Sequence, residues 1–348
     1  MENKTLKNST QLPALFIFII VATIFLMYPS AVTKGAAEGL KICAAIVIPC
    51  LFPFTVASIF VHKSGGIMWI GKRLNRFSRT VFGISGSEFT VVIISLVGGY
   101  PIGAKIADSM YQQGEITKYN AERLMLFSIN ASPAFFISTV GFSLFSSYKV
   151  GIILFVSNLV SCLFLTAIIG KMIKKGSNET LLVEEYYSLG DSLVLSVSEA
   201  AQVFISICAW VTLFSALTEL ICLAELSNSA NVLIFSFLEV TVGCVNAAKS
   251  GIPLFLNSFI LGFGGLSTIC QVCTAAKHIK PSFSKIFIGR IIHGVTASLI
   301  SFALFKIFPI SQATFSNSVN VVFTGFELTS APIFLFLTAI LFFIYLKS

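Results

Sequence analysis

The residues best suited to chemistry are few, and they stand where an apolar chain rarely keeps them. Glu239 has about seven apolar or small neighbours on either side. A carboxylate at membrane depth is costly, and it usually lines a pathway, binds a coupling cation or relays protons. The plainer alternative is a structural pair with Lys249, further along the same segment. The helix-breaking run Leu96-Val97-Gly98-Gly99-Tyr100-Pro101-Ile102-Gly103-Ala104-Lys105 and the later Asn130-Ala131-Ser132-Pro133 lie in equally apolar surroundings. Unpaired amides and carbonyls cost several kcal/mol in hydrocarbon, so such backbone survives only inside protein or beside a wet cavity. Asn130, Ser132, Ser267 and Gln271 can hydrogen-bond a small molecule, while Gly98, Gly99, Gly264 and Gly265 let it approach the backbone. Helix packing through small residues is the competing use of all of them. This chemistry is binding rather than bond-making. No phosphate loop, His-Glu-x-x-His or nucleophile elbow occurs, and His62, His278 and His293 are scattered. Cys270-Gln-Val-Cys273 has metal or redox spacing but no second pair, so it reads as packing. Neither an enzyme activity nor a cofactor or metal is expected. Arg290 and His293 open a late apolar segment and read as interfacial anchors.

The elements that must position these residues are membrane helices. The 348 residues are 56% hydrophobic and 11% charged, with a mean hydropathy of +0.92, far from the balance of a soluble domain. Ten apolar segments of spanning or near-spanning length fall near 12–33, 41–61, 87–104, 124–146, 150–170, 199–222, 232–248, 254–276, 287–308 and 329–346. The net charge of +8 comes from short loops beside these segments, which excludes a nucleic-acid partner. The run from Pro13 to Val32 exceeds a signal-peptide core and lacks a small-residue cleavage site, so it reads as a first spanning helix. Pro49 and Pro53 predict a kink in the second. Residues 62–86 hold Lys63, Lys72, Arg73, Arg76 and Arg79 around Ile67-Met68-Trp69-Ile70, a mixture suited to an amphipathic stretch on an anionic membrane surface. If all ten segments cross, Lys and Arg divide 13 to 10 between the two sides, hardly a bias. If the third and seventh re-enter instead, 18 lie inside and only Lys34, Lys41, Lys149, Lys249 and Lys306 outside, as the positive-inside rule expects. A multi-pass protein of the cell membrane with both termini cytoplasmic follows. The fold class is all-α polytopic, with about eight spanning helices plus two re-entrant or broken-helix hairpins.

The halves repeat. Leu238–Lys249 can be laid on Ile94–Lys105, which matches Gly243 to Gly99, Glu239 to Ser95 and Lys249 to Lys105. Gly262-Phe263-Gly264-Gly265 then stands opposite Asn130-Ala131-Ser132-Pro133. In the re-entrant topology the two repeats are inverted, an architecture of transporters whose paired breaks mark a midplane site. The expected division is an N-terminal helix and connector at 1–40, a first repeat at 41–175, a cytoplasmic linker at 176–190, a second repeat at 191–309, and an external loop with a closing helix at 310–348.

Gly98-Gly99-Tyr100-Pro101-Ile102-Gly103-Ala104, Glu122-Arg123-Leu124, Asn130-Ala131-Ser132-Pro133-Ala134-Phe135-Phe136, Leu238-Glu239-Val240-Thr241-Val242-Gly243, Gly264-Gly265-Leu266-Ser267 and Gln271 together resemble the sporulation integral membrane proteins of the YlbJ type. These are similar in turn to the wider group of nucleoside-recognition, or Gate, domain membrane proteins. The resemblance covers roughly residues 40–310. It implies an inverted-repeat fold akin to nucleoside transporters and a role in endospore formation, moving dipicolinic acid across the outer forespore membrane. A nucleoside permease and a non-transporting scaffold for the spore envelope are the alternatives. The expected partners are a small organic anion, the lipid bilayer and a coupling sodium ion or proton at Glu239, and a homo-oligomer is compatible with them. A dicarboxylate could be held by the positive ends of half-helices without a midplane lysine.

Overall fold

The computed structural model describes residues 2–172 and 186–310, with side chains from Leu12 onward. Most of the linker 176–190, and the loop and closing helix from 311 on, lie outside the described residues. Within them every regular element is helical, the arrangement that lets backbone satisfy itself without water. The first half contains α1 (Glu2–Met27), α2 (Pro29–Ile42), α3 (Ile48–Lys63), α4 (Gly66–Phe82), α5 (Gly86–Gly98), α6 (Tyr100–Gln112), α7 (Lys118–Met125) and α8 (Tyr148–Met172). The second contains α9 (Leu189–Cys222), α10 (Asn228–Leu238), α11 (Val240–Lys249), α12 (Leu254–Phe263), α13 (Gly265–Ala275) and α14 (Phe283–Ile307). Pro29–Lys63, Tyr148–Met172, Leu189–Cys222, Leu254–Ala275 and Phe283–Ile307 are long and apolar enough to cross a bilayer. The protein is therefore an all-α polytopic membrane protein.

The first two expected segments divide differently. The break falls at Tyr28, ahead of Pro29, and helical backbone then continues to Lys63. A π-helical turn over Cys43–Val47 lies just before Pro49. Such a widened turn takes up the clash and the missing amide that a proline brings to a regular helix.

The third and seventh apolar segments are helical hairpins. Ser95 and Gly103 would lie ~12 Å apart in a continuous helix, yet a methyl group at Gly103 would come within 2.9 Å of the Ser95 Cβ. Thus α5 and α6 fold back on each other about Gly99, whose φ of 91° is the left-handed backbone that glycine adopts without strain. Gly243 likewise packs on Ser236, where a methyl group would meet the Ser236 Cα at 2.6 Å, so α10 and α11 turn back at Glu239. The tips therefore correspond as Gly99 with Glu239, and Gly103 with Gly243. This corrects the sequence register by one helical turn: Glu239 matches Gly99 rather than Ser95, and Lys249 does not match Lys105. The Ala-Lys coincidence outweighed the tip in the sequence because nothing there fixes which residue turns the chain.

Each hairpin precedes an interrupted helix and then a long one. After α7, residues 128–132 run without helical structure into a π-helix, Phe135–Leu144, and then α8. After α11, α12 and α13 are interrupted at Gly264 (φ 82°), and α14 follows. The root of the first hairpin is anchored by charges. Ser85 and Glu88 form a reciprocal capping box at the start of α5, and the same carboxylate accepts Arg123 Nη2 at 2.6 Å in a fully buried ion pair. Asp108 on α6 accepts the His278 and Ile279 amides, both at 3.0 Å, which ties the hairpin to the chain after α13. Glu199 on α9 bridges Lys63 (2.8 Å) and Lys105 (3.2 Å).

Candidate functional site

Both hairpin tips and both interrupted helices converge on one cavity of about 40 Å³. The first tip supplies Gly99, Tyr100 and Pro101, and the second supplies Glu239, Val240 and Thr241. Ala131, Ser132 and Phe135 line it from the first interruption, and Thr268 and Gln271 from α13. Residues of α9 and of the Ile46–Leu51 stretch close the remaining wall. A larger groove of about 770 Å³ runs along α2 and α9, but its walls are Phe25, Leu40, Phe204, Ile205 and similar side chains without a charge. That groove suits hydrocarbon, whereas the small cavity has the polar groups that recognition needs.

Glu239 is 2% exposed, and its conformation follows from its place at the turn. Its backbone is extended (φ −148°, ψ 133°), the geometry of a helix N-cap, and its carboxylate accepts the Val242 amide at 2.8 Å. The negative charge thus sits on the positive end of α11. The pair with Lys249 does not form: Lys249 is exposed at the opposite end of the same helix. Among the described residues no lysine or arginine makes an ion pair with Glu239.

Arg290 and His293 are not interfacial anchors; they are 2% and 4% exposed in the interior. The Arg290 guanidinium donates to the carbonyls of Gly262 and Phe263 at the end of α12, and to that of Ile129 in the other interruption. One side chain from α14 therefore satisfies the carbonyls that both breaks leave without helical partners, and its charge faces the negative end of α12. Its Nη1 also donates to His293 Nδ1 at 3.0 Å, while His293 Nε2 lies 3.3 Å from the Asn158 carbonyl. An Nδ1 that accepts and an Nε2 that donates describe a neutral imidazole. Tyr100, the first residue of α6, donates its hydroxyl to the Leu261 carbonyl at 2.6 Å, and Arg290 lies 5.9 Å from its ring centroid. The tip of the first hairpin is thereby tied to the interruption of the second half.

Of the residues singled out from the sequence, Gly99, Ser132, Glu239 and Gln271 line the cavity. The others stand directly behind them. Asn130 Nδ2 donates to Ser95 Oγ at 3.1 Å, joining the first interruption to the hairpin. Ser267 Oγ accepts Gln271 Nε2 at 3.2 Å. Gly98 packs against Ser58, Gly264 against Thr268, and Gly265 against the Leu238–Glu239 backbone. Sequence reasoning missed Arg290, Tyr100, Thr241 and Thr268. A signal existed for the first: Arg290, His293, Gly294, Ala297 and Ser301 recur at helical spacing along one buried face of an otherwise apolar helix.

No protein-family model and no solved structure matches the chain. It is 25% identical, over an alignment of 342 residues covering 86% of it and 84% of the relative, to the sporulation integral membrane protein YlbJ of Bacillus subtilis (strain 168).

Proposed function

We propose, from the premise that the chain is a sporulation integral membrane protein of the YlbJ type, that it is a secondary transporter of a small organic anion, dipicolinic acid foremost, across the mother-cell membrane. The observation that carries this reading is the convergence of two hairpin tips and two interrupted helices on a cavity that holds a buried carboxylate with no cationic side-chain partner among the described residues. Two helix amino termini, that of α6 at the first hairpin tip and that of α13 at the second interruption, follow glycine N-caps, Gly99 and Gly264, and have no side-chain cap. Their amide groups offer an anion the positive dipole ends it needs. Glu239 already caps α11, which leaves its charge available to balance a sodium ion or a proton moving with the substrate. Ser132 and Gln271 supply neutral hydrogen-bonding groups between these poles.

Purified protein in liposomes, offered labelled dipicolinate with and without sodium and pH gradients, tests the reading. Saturable dipicolinate uptake driven by one gradient is expected. Uptake of labelled uridine in its place would make the protein a nucleoside permease. Uptake of neither, from protein that remains folded, removes the transport reading and leaves a membrane scaffold.

A further inference from the structure

Transport gives helix α4 no task, yet it is the most sharply two-sided helix among the described residues. Ile67, Gly71, Ser78 and Phe82 form its buried stripe. Lys72, Arg73, Arg76 and Arg79 are all exposed, and no acid occurs between Gly66 and Phe82. At 100° per residue, Arg79, Lys72 and Arg76 occupy one flank of the exposed arc and the exposed Phe77 and Val81 the other, with Trp69 and then Arg73 between. The Arg73 guanidinium stacks 4.0 Å from the Trp69 ring centroid. The axis of α4 turns by 89° from that of α5. A helix that turns sharply from a membrane hairpin and carries cations on one flank of its exposed arc and apolar residues on the other is suited to lie along the membrane surface, between headgroups and acyl chains.

We propose that the outer face of α4 binds the headgroups of anionic phospholipids, with Lys72, Arg73, Arg76 and Arg79 on the phosphates and Phe77 and Val81 in the acyl boundary. A lipid surface, rather than an acidic protein, is favoured because the exposed Phe77 and Val81 adjoin the cations and Trp69 sits among them with Arg73 stacked on its ring. The site is joined to the first hairpin. A methyl group at Gly86 would fall 1.8 Å from the Gly71 carbonyl oxygen, and Asn75 Oδ1 accepts both the Gly86 amide and Arg79 Nε at 3.1 Å. Lipid held on α4 therefore bears on the root of α5. The nearest acid along the chain, Glu88, is already paired with Arg123 and does not cancel the surface charge.

The chain contains two tryptophans, Trp69 and Trp210, and Trp210 lies on α9, where its Nε1 donates to Thr274. Trp210→Phe leaves Trp69 as the sole reporter. The full chain carrying that change is reconstituted in phosphatidylcholine vesicles containing equal fractions of either dibrominated phosphatidylglycerol or dibrominated phosphatidylcholine. Quenching of Trp69 by the brominated anionic lipid is expected to exceed that by the zwitterionic one roughly twofold or more, and to fall to parity in about 0.5 M salt. Combined Lys72→Gln, Arg73→Gln, Arg76→Gln and Arg79→Gln should abolish the preference at low salt. Because the salt titration needs no change on α4, poor folding of the fourfold variant does not blunt the test. Equal quenching by the two lipids at low salt, a preference that survives neutralisation, or no quenching by either lipid would each overturn the proposal. None of these outcomes depends on whether the protein transports anything.

Discussion

A carboxylate taken out of water needs donors, and Glu239 finds them in the first turn of α11 rather than in a counter-ion. Gln at this position keeps an oxygen for the Val242 amide while it removes the charge. We expect Glu239→Gln to insert and to melt close to the unsubstituted protein, while coupled flux in liposomes falls by roughly tenfold or more, the scale of a coupling free energy between two sites. Unchanged flux would remove Glu239 from the mechanism. A melting temperature that drops together with flux would make it a structural cap only. Glu239 could be found in the sequence because an isolated acid in an apolar run is conspicuous. Arg290 was as buried but stood near the start of its segment, where cations ordinarily anchor at the interface. What determines its role is three carbonyls on two distant stretches, and no local pattern announces those.

The interrupted helices and hairpins depend on close backbone approach, and one glycine bears more of it than its sequence suggests. A methyl group at Gly103 would lie 1.9 Å from the Ser128 carbonyl oxygen, so any side chain pushes α6 away from the first interruption. Gly103→Ala is expected to cost about 1–3 kcal/mol by overpacking and to lower both melting temperature and flux. Gly190→Ala, exposed at the start of α9 with its nearest neighbour 4.0 Å away, should change neither. Equal behaviour of the two variants would contradict the packing described for the hairpin. The first hairpin was legible from glycine and proline inside a membrane-length run, and the second from the division of Lys and Arg and from the internal repeat. Their tips were not, because the residue at which a hairpin turns is chosen by what packs against its arms, here Ser95 on Gly103 and Ser236 on Gly243.

At the scale of the whole molecule, folding two segments into hairpins would put most of the loop lysines and arginines on one side of the membrane. A cysteine replacing the exposed Lys118 distinguishes this topology from ten crossings in a cysteine-free background, and one replacing the exposed Lys249, external in both, is the positive control. In intact cells an impermeant maleimide should label the Lys249 position and spare the Lys118 position until the membrane is opened. Labelling of the Lys118 position from outside would remove the re-entrant arrangement. The volume at the centre of the molecule also sets a clock. About 40 Å³ accommodates a water molecule or a bare ion, whereas pockets for organic ligands occupy roughly 300–1,000 Å³. A molecule of that size can reach Glu239 only while the tips that line the cavity stand apart. Movements of whole helical elements take microseconds to milliseconds, so the turnover of such a carrier would follow the frequency of that parting, and adding substrate beyond saturation could not hasten it.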